Sequence, residues 1–178
     1  MPKVSQAHLD ARRQQILDAA RSLFASRGFA RTSMADIVDT LGLSVGSIYR
    51  YFKSKDEMIV AICEQSSQAL PAELTPAAIS GFLEHIRTQA RTQDHARLIM
   101  QIYAEAAATP ALAQLVVSQL DELRDAIEAL LPHHADERRK QVAEAFVALC
   151  QGYLGQLAVR GDLDPAPFAA ALITLTSP

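Results

Sequence analysis

The sequence is poor in residues that mark turns and in residues that build disulfide or metal scaffolds. Its 178 residues include 7 glycines, 8 prolines and 2 cysteines, and neither asparagine nor tryptophan occurs. So few turn-forming residues argue against a turn-rich all-β fold. Cys63 and Cys150 are far apart and form no C-x-x-C pair, which excludes a disulfide framework, a cysteine metal site and a redox motif. Two isolated cysteines suit a reducing cytoplasm.

Long hydrophobic runs are lacking as well. The longest nearly uncharged stretch, residues 141–159, is interrupted by Glu144 and is rich in alanine, glycine and glutamine rather than in leucine, isoleucine or valine. The first 13 residues have no apolar core of the kind found in signal peptides. We therefore expect a soluble, cytoplasmic protein with no membrane contact.

Apolar residues at helical spacing recur along the whole chain, and no alternating stretch is long enough for a useful strand. Capping residues, glycines and prolines separate the apolar segments. Ser54 and Glu57, for example, occupy the two positions of a capping box that opens the fourth helix. The pattern predicts an all-α fold with about nine helices, at residues 6–27, 33–41, 44–52, 54–70, 76–91, 94–108, 109–131, 137–159 and from 168 onward.

Charge is divided unevenly along the chain. Residues 1–60 hold nine Lys or Arg against six Asp or Glu, whereas the remaining 118 residues hold eight against fourteen. The formal net charge of the whole chain is −3. A basic end on an acidic body indicates that the N-terminal third meets a polyanion such as nucleic acid.

Residues 33–52 have the spacing of a helix-turn-helix. Ser33 caps a helix that must end at Gly42, and Ser44 caps a second short helix. One side of the second helix is apolar and is expected to pack inward. Its other side and the residues that follow carry hydroxyl groups and positive charge, from Tyr49, Arg50, Tyr51, Lys53 and Lys55. A helical hairpin with only a structural role does not need this set, whereas a helix placed in the major groove of DNA does.

Two segments within about residues 10–60 carry a specific pattern, GFARTSMADI (28–37) and LGLSVGSIYRYFKSKDEM (41–58). The pattern resembles the signature of the TetR family of bacterial transcriptional regulators, although Val38 stands where the family usually has alanine. The resemblance implies a homodimer with a three-helix DNA-binding domain, assigned to residues 1–53, and an effector-binding and dimerisation domain, residues 54–178. It also implies that a small-molecule effector reorients the fourth helix and releases the DNA.

The same resemblance implies DNA contacts at particular residues. Thr32 and Ser33 are expected to touch phosphate at the start of the second helix. The residues expected to face bases or the groove wall are Ser44, Val45, Gly46, Ser47 and Arg50. Those expected to hold the DNA backbone are Tyr49, Tyr51 and Lys55. A dimer of such domains requires a palindromic operator with half-sites roughly 34–36 Å apart, about one turn of DNA.

The eighth predicted helix is apolar on two sides. One stripe consists of Val142, Phe146, Leu149, Tyr153 and Leu157, and the other of Ala143, Val147, Cys150, Leu154 and Ala158. Two apolar sides need two packing partners. We expect the second partner to be another copy of the chain, with the homodimer formed through the last two helices, because the last helix is equally apolar. The alternative is a helix central to a monomer.

The effector residues are predicted from spacing alone. Ligand pockets are mostly apolar with a few polar groups. Side chains with suitable spacing on the central helices are Phe82, His85, Ile86, Met100, Tyr103, Phe146 and Tyr153. The expected ligand is a predominantly apolar or aromatic small molecule, and the alternative is that these residues are plain core.

Other functional patterns carry less weight. Residues 42–46 fit the G-x-S-x-G motif of serine hydrolases, but no strand precedes Ser44 and no sheet is predicted. His133 and His134 are adjacent and therefore point in different directions, so no metal site is predicted. We expect no enzymatic activity, no cofactor and no bound metal. The sequence predicts a ligand-responsive DNA-binding repressor, and the alternative is a helical ligand-binding or dimerising protein that does not recognise an operator.

Overall fold

A computed structural model describes residues 5–65 and 70–177, except for the side chains of residues 92 and 93. Within these ranges every regular element is an α-helix. The nine helices are α1 (Gln6–Arg27), α2 (Met34–Leu41), α3 (Val45–Tyr49), α4 (Lys55–Gln65), α5 (Pro76–Gln93), α6 (His95–Ala106), α7 (Pro110–Ala129), α8 (Asp136–Arg160) and α9 (Ala166–Thr176). The predicted fold class and number of helices are confirmed for this part of the chain. Residues 66–69, predicted as the end of the fourth helix, lie outside the described ranges.

The chain forms two compact units, Met1–Ser67 and Gln68–Pro178. The first contains α1–α4 and the second α5–α9. The sequence-based boundary after residue 53 assigned the fourth helix to the second domain. In the structure α4 packs against α1 and belongs to the first unit.

Capping side chains determine where the helices of the first unit begin. The Asp36 carboxylate accepts the Ser33 N–H at 2.7 Å, and the Asp36 N–H donates to Ser33 Oγ at 3.1 Å. The predicted cap Ser33 is therefore part of a complete capping box at the start of α2. Hydrogen bonds from Ser33 hold the pKa of Asp36 below its ordinary value. At α4 only one of the two hydrogen bonds of the predicted capping box is present. The Glu57 N–H donates to Ser54 Oγ at 3.2 Å, but the Glu57 carboxylate accepts the N–H of Lys53 instead of that of Ser54.

The second unit is built around α8, which packs against α5, α6, α7 and α9. All ten residues of the two predicted stripes belong to one apolar core, seven of them buried and three partly buried. Helices of the same unit therefore cover both stripes, so the stripes do not by themselves require a second subunit. Among the described helices only α8 is long and apolar enough to cross a membrane, with a mean hydropathy of 1.3, and its central position makes it a core helix.

A hydrogen-bonded clasp ties the α8–α9 loop to α5. Arg87 donates to Asp162 through Nε at 2.6 Å and through Nη2 at 3.0 Å. Asp162 Oδ1 also accepts the Leu163 N–H at 3.0 Å, and the Tyr153 hydroxyl donates to the Leu163 carbonyl at 2.9 Å. The pKa of Asp162 is lowered, chiefly by the hydrogen bonds from Arg87. This two-point contact fixes the loop that leads into α9.

We expect Asp162→Asn to lower the Tm at neutral pH and to have a smaller effect in acid. The pKa of Asp162 is lower in the folded than in the unfolded state, so its ionised form stabilises the fold above the ordinary value of 3.8. That contribution is lost as pH falls through the lowered value. The measurement is thermal unfolding at pH 7 and at about pH 3. Asp125→Asn, which removes an exposed carboxylate from α7, is the control. Equal Tm changes in the two variants at pH 7 would show that the Arg87–Asp162 contact does not stabilise the fold.

Candidate nucleic-acid interface

A tight turn joins α2 to α3. Gly42 adopts φ +62°, a left-handed conformation that side chains disfavour, and its N–H donates to the Asp39 carbonyl at 3.3 Å. Ser44 follows in extended conformation and its Oγ accepts the Ser47 N–H at 3.3 Å. The predicted helix-turn-helix is thus present, with glycine at the turn and serine at the start of the second helix.

The short helix α3 has a buried and an exposed side. Ile48 and Phe52 are 0% and 1% exposed, and the Phe52 ring lies 5.0 Å from the Arg13 guanidinium. On the other side Val45 is 57% exposed and Tyr49 is 40% exposed, and the residues between and after them are exposed too, namely Gly46, Ser47 and Arg50. The buried side chains of Ile48 and Phe52 therefore hold α3 in place, so that the residues predicted to contact bases face solvent.

The two serines at the start of α3 form hydrogen bonds with each other. Ser44 Oγ lies 2.7 Å from Ser47 Oγ, besides accepting the Ser47 N–H. Both hydroxyls are exposed, but each already has a hydrogen-bond partner. They fit the predicted groove-facing role by position, while their local bonds compete with contacts to bases.

Positive charge in the first unit is mostly committed to contacts within the unit. Residues 5–65 contain eight Lys or Arg side chains, and seven of them bond to a polar group or lie over an aromatic ring. In this part of the chain Arg50 is the exception. It is exposed, directly follows α3, and its guanidinium has no partner. Its charge is therefore the one most readily offered to a polyanion.

Thr32 lies inside the unit, contrary to the predicted phosphate contact. The residue is 1% exposed, and its hydroxyl donates to the Gly28 carbonyl at 2.9 Å. Its side chain therefore fixes the turn between α1 and α2 and does not face a ligand. Ser33 is exposed, but both its N–H and its hydroxyl are bonded to Asp36.

Lys55 also differs from its predicted role on the DNA backbone. Its Nζ donates to the Phe29 carbonyl at 2.8 Å and lies 4.3 Å from the centre of the Phe29 ring. Lys55 and Tyr51 are both half-buried, whereas Lys53 is exposed and donates to the Tyr49 carbonyl at 3.0 Å. Lys55 thus ties the start of α4 to the α1–α2 turn. No local signal in the sequence reveals this contact, because its partners are 26 residues apart.

We expect Lys53→Met and Lys55→Met to weaken DNA binding in different ways. A lysine that neutralises phosphate contributes about 0.9 to the slope of log affinity against log salt. Lys53→Met should reduce the slope by about that amount, whereas Lys55→Met should lower the Tm and leave the slope unchanged. Affinity measured over a range of salt concentrations, with Arg21→Met on α1 as a control, makes the comparison. A reduced slope for Lys55→Met would show that Lys55 leaves Phe29 to contact phosphate.

The predicted effector residues occupy different environments in the second unit. Ile86, Phe146 and Tyr153 are buried in the core, where Phe82 packs with its ring 6.5 Å from that of Phe146. His85 is exposed on α5 and faces away from this core. The structure therefore joins four of the seven residues in one apolar core and separates the histidine from them.

The other two predicted effector residues lie on α6, which packs against α8. Met100 Sδ approaches Gly155, at 3.5 Å from the position that a Cβ would take there. The Tyr103 hydroxyl accepts a hydrogen bond from Gln151 Nε2 at 3.2 Å. Gln151 was not predicted, since its proximity to Tyr103 arises from helix packing across 48 residues. At the α6–α8 contact the Met100 side chain thus lies close to Gly155, and the half-buried Tyr103 and Gln151 side chains form a hydrogen bond.

Comparison with known proteins relates this architecture to a family of regulators. Residues 16–62, which run from α1 into α4 and include every predicted DNA contact, match the family described as bacterial regulatory proteins, tetR family. The transcriptional repressor AcnR of Corynebacterium diphtheriae is 23% identical over 171 residues, covering 92% of this chain and 90% of that protein. A TetR-like transcriptional regulator from Rhodococcus sp. RHA1 superposes with a TM-score of 0.71 at 26% identity, covering 98% of this chain and 96% of that chain. Residues 16–62 are therefore similar to the TetR family of regulators.

Another relative is more similar in sequence but matches a shorter part of the chain. The transcriptional repressor Rv1474c of Mycobacterium tuberculosis is 35% identical over 83 residues, which cover 47% of this chain and only 44% of that protein. The chain thus matches less than half the length of this relative.

Proposed function

We propose that this protein is a TetR-family transcriptional repressor that binds a palindromic DNA operator as a homodimer and leaves it when a small molecule binds. The exposed side of α3 carries this proposal. Ile48 and Phe52 anchor the helix, while Val45, Tyr49 and Arg50 are exposed. The other lysine and arginine side chains of residues 5–65 make contacts within the unit. A helix presented in this way fits the major groove, whose base edges are accessible to side chains.

The proposed DNA contacts follow from exposure and partners. Val45, Gly46 and Arg50 face bases or the groove wall, with Ser44 and Ser47 beside them. Tyr49 and Tyr51 supply hydroxyls for phosphates, and Lys53 adds charge next to them. Ser33 is placed near phosphate by its exposed position, while Thr32 and Lys55 act indirectly, by fixing the turn and the helix that support this surface.

The proposed homodimer uses the outward faces of α8 and α9. From residue 145 to residue 159, α8 has no charged residue, and its exposed positions include Ala148 and Gly152. No residue of α9 is charged, and Ala170 and Ala171 are exposed on it. Uncharged surfaces of small residues allow close contact, and the cores of protein interfaces are depleted of charge. Such a dimer presents two α3 helices to one operator.

The proposed effector site lies at the α6–α8 contact. Met100 and the nearby apolar core provide a surface for a predominantly apolar or aromatic molecule. The Tyr103–Gln151 pair supplies a donor and an acceptor that such a molecule can engage. A ligand that separates α6 from α8 changes the packing of the second unit and thereby the DNA affinity of the dimer.

Selection of DNA from fragments of the source genome tests the proposal. The full chain should enrich a palindrome whose affinity falls steeply with salt. Tyr49→Phe, which removes an exposed hydroxyl from the edge of α3, should weaken matched and scrambled sequences by similar factors. If the folded protein enriches no sequence at low salt, the repressor proposal fails and the alternative, a ligand-binding or dimerising protein without an operator, takes its place.

A further inference from the structure

The outward ridge of α3 is formed by positions 46 and 50. They are four residues apart and so lie on one face of the helix, opposite the buried Ile48. Gly46 has open space where a Cβ would stand, and Arg50 retains helical backbone angles, φ −69° and ψ −30°. Because side chains on a helix lean towards its N-terminus, Arg50 extends over the bare turn at Gly46. Gly46 therefore places no side chain between the Arg50 guanidinium and a base edge.

The neighbouring polar groups are engaged elsewhere. Ser44 and Ser47 bond to each other through their hydroxyl groups, and Lys53 Nζ bonds to the Tyr49 carbonyl. Among the lysine and arginine side chains of residues 5–65, Arg50 alone has no partner. Arginine pairs with guanine by donating two hydrogen bonds to O6 and N7 in the major groove.

Val45 supplies a different kind of contact. It stands at the first position of α3, 57% exposed, on a flank of the ridge formed by Gly46 and Arg50. Its methyl groups have no hydrogen-bonding capacity. The apolar group that the major groove offers is the 5-methyl of thymine.

We propose that each operator half-site contains a guanine recognised by Arg50 and a thymine whose 5-methyl contacts Val45, while Ser44 and Ser47 contribute no base contact. This inference rests on the proposed function, since it concerns the chemistry of the same DNA site. Two side chains carry sequence recognition on α3, one through paired hydrogen bonds and one through a methyl contact. The serine pair holds the start of the helix in shape.

The test begins with selection from a random duplex library by the full-length wild-type protein and three variants. Arg50→Lys keeps the charge but loses the two-pronged donor geometry, and Val45→Ala removes the methyl groups. Arg21→Lys, on α1, is the matched control. The wild type and the control should enrich the same half-site, with a fixed guanine and a fixed thymine. Arg50→Lys should lose preference only at the guanine, and Val45→Ala only at the thymine.

Modified bases in the selected duplex then isolate each contact. Replacing the guanine by 7-deazaguanine removes N7, and replacing the thymine by uracil removes the methyl group. For the wild type we expect affinity to fall between about 5- and 150-fold for 7-deazaguanine and about 3- to 4-fold for uracil. Arg50→Lys should show no further loss of affinity with 7-deazaguanine, and Val45→Ala should show none with uracil.

The outcomes separate this inference from the proposed function. If a palindrome is enriched but 7-deazaguanine weakens the wild type and Arg50→Lys equally, Arg50 does not read guanine and the inference is overturned. If uracil weakens the wild type and Val45→Ala equally, Val45 does not contact the thymine methyl and the inference is likewise overturned. If Ser47→Ala alters base preference, the serine part of the inference is wrong. Failure of the wild type to enrich any sequence would remove the proposed function, and the inference with it.

Discussion

Gly152→Glu is expected to yield a monomer that binds the operator at least about 100-fold more weakly than the wild-type dimer. Gly152 is exposed on α8, and a Cβ at this position meets nothing within 4 Å, so the larger side chain fits the isolated chain. In the proposed dimer the same position faces the partner, where a buried carboxylate would be costly. Loss of the second DNA-binding unit removes the gain from bivalent binding.

Two control variants make this prediction specific. Gly81→Glu introduces the same side chain at an exposed glycine of α5, where a Cβ also has open space, and it should remain dimeric. Gly152→Ala should keep the dimer, because alanine is small. Light scattering after size-exclusion chromatography gives the mass, and titration of the selected operator gives the affinity. A dimeric Gly152→Glu with unchanged affinity would place the interface away from α8.

Phe52→Ala is expected to lower the free energy of unfolding of the first unit by about 3–5 kcal/mol and to abolish operator binding. The Phe52 ring is 1% exposed, beneath α3, so its removal leaves a cavity under this helix. The contact between the ring and the Arg13 guanidinium is lost as well. Because α3 has only five residues, it cannot hold its orientation without this anchor.

A conservative variant distinguishes loss of the apolar contact at position 52 from a general effect of substitution there. Phe52→Leu keeps an apolar side chain, and we expect it to cost about 1 kcal/mol and to retain operator binding. Val45→Ala, on the exposed side of the same helix, should leave stability within about 0.5 kcal/mol of wild type. Denaturant unfolding followed by circular dichroism measures the stabilities. An unchanged stability for Phe52→Ala would contradict the role of Phe52 as an anchor.

Helix positions could be predicted because their causes are local. Gly28 and Gly42 end α1 and α2, Ser33 and Asp36 form the capping box of α2, and Ser44 caps α3. Each signal involves residues within one helical turn of one another, so the linear sequence contains it. The alternation of breakers and apolar segments likewise predicted α5–α9 to within a few residues.

The candidate site was predictable only in part, because burial depends on distant residues. The exposed set around α3 followed from the position of Ile48 and Phe52 on one face. Thr32, however, has the same sequence context as an exposed cap, and only the fold buries its hydroxyl against the Gly28 carbonyl. His85 shares the spacing of its apolar neighbours, yet it lies on the exposed side of α5.

By itself, the sequence determined the helices and their ends, because capping and amphipathic spacing act over a few residues. Its motifs also showed the resemblance of residues 16–62 to the TetR family. Only the tertiary structure decided which charges are free and which apolar faces are covered. Lys55 bonds to Phe29 across 26 residues, and one core takes up both stripes of α8. Such contacts depend on how separate helices pack, and the spacing of residues along a single helix does not specify its neighbours.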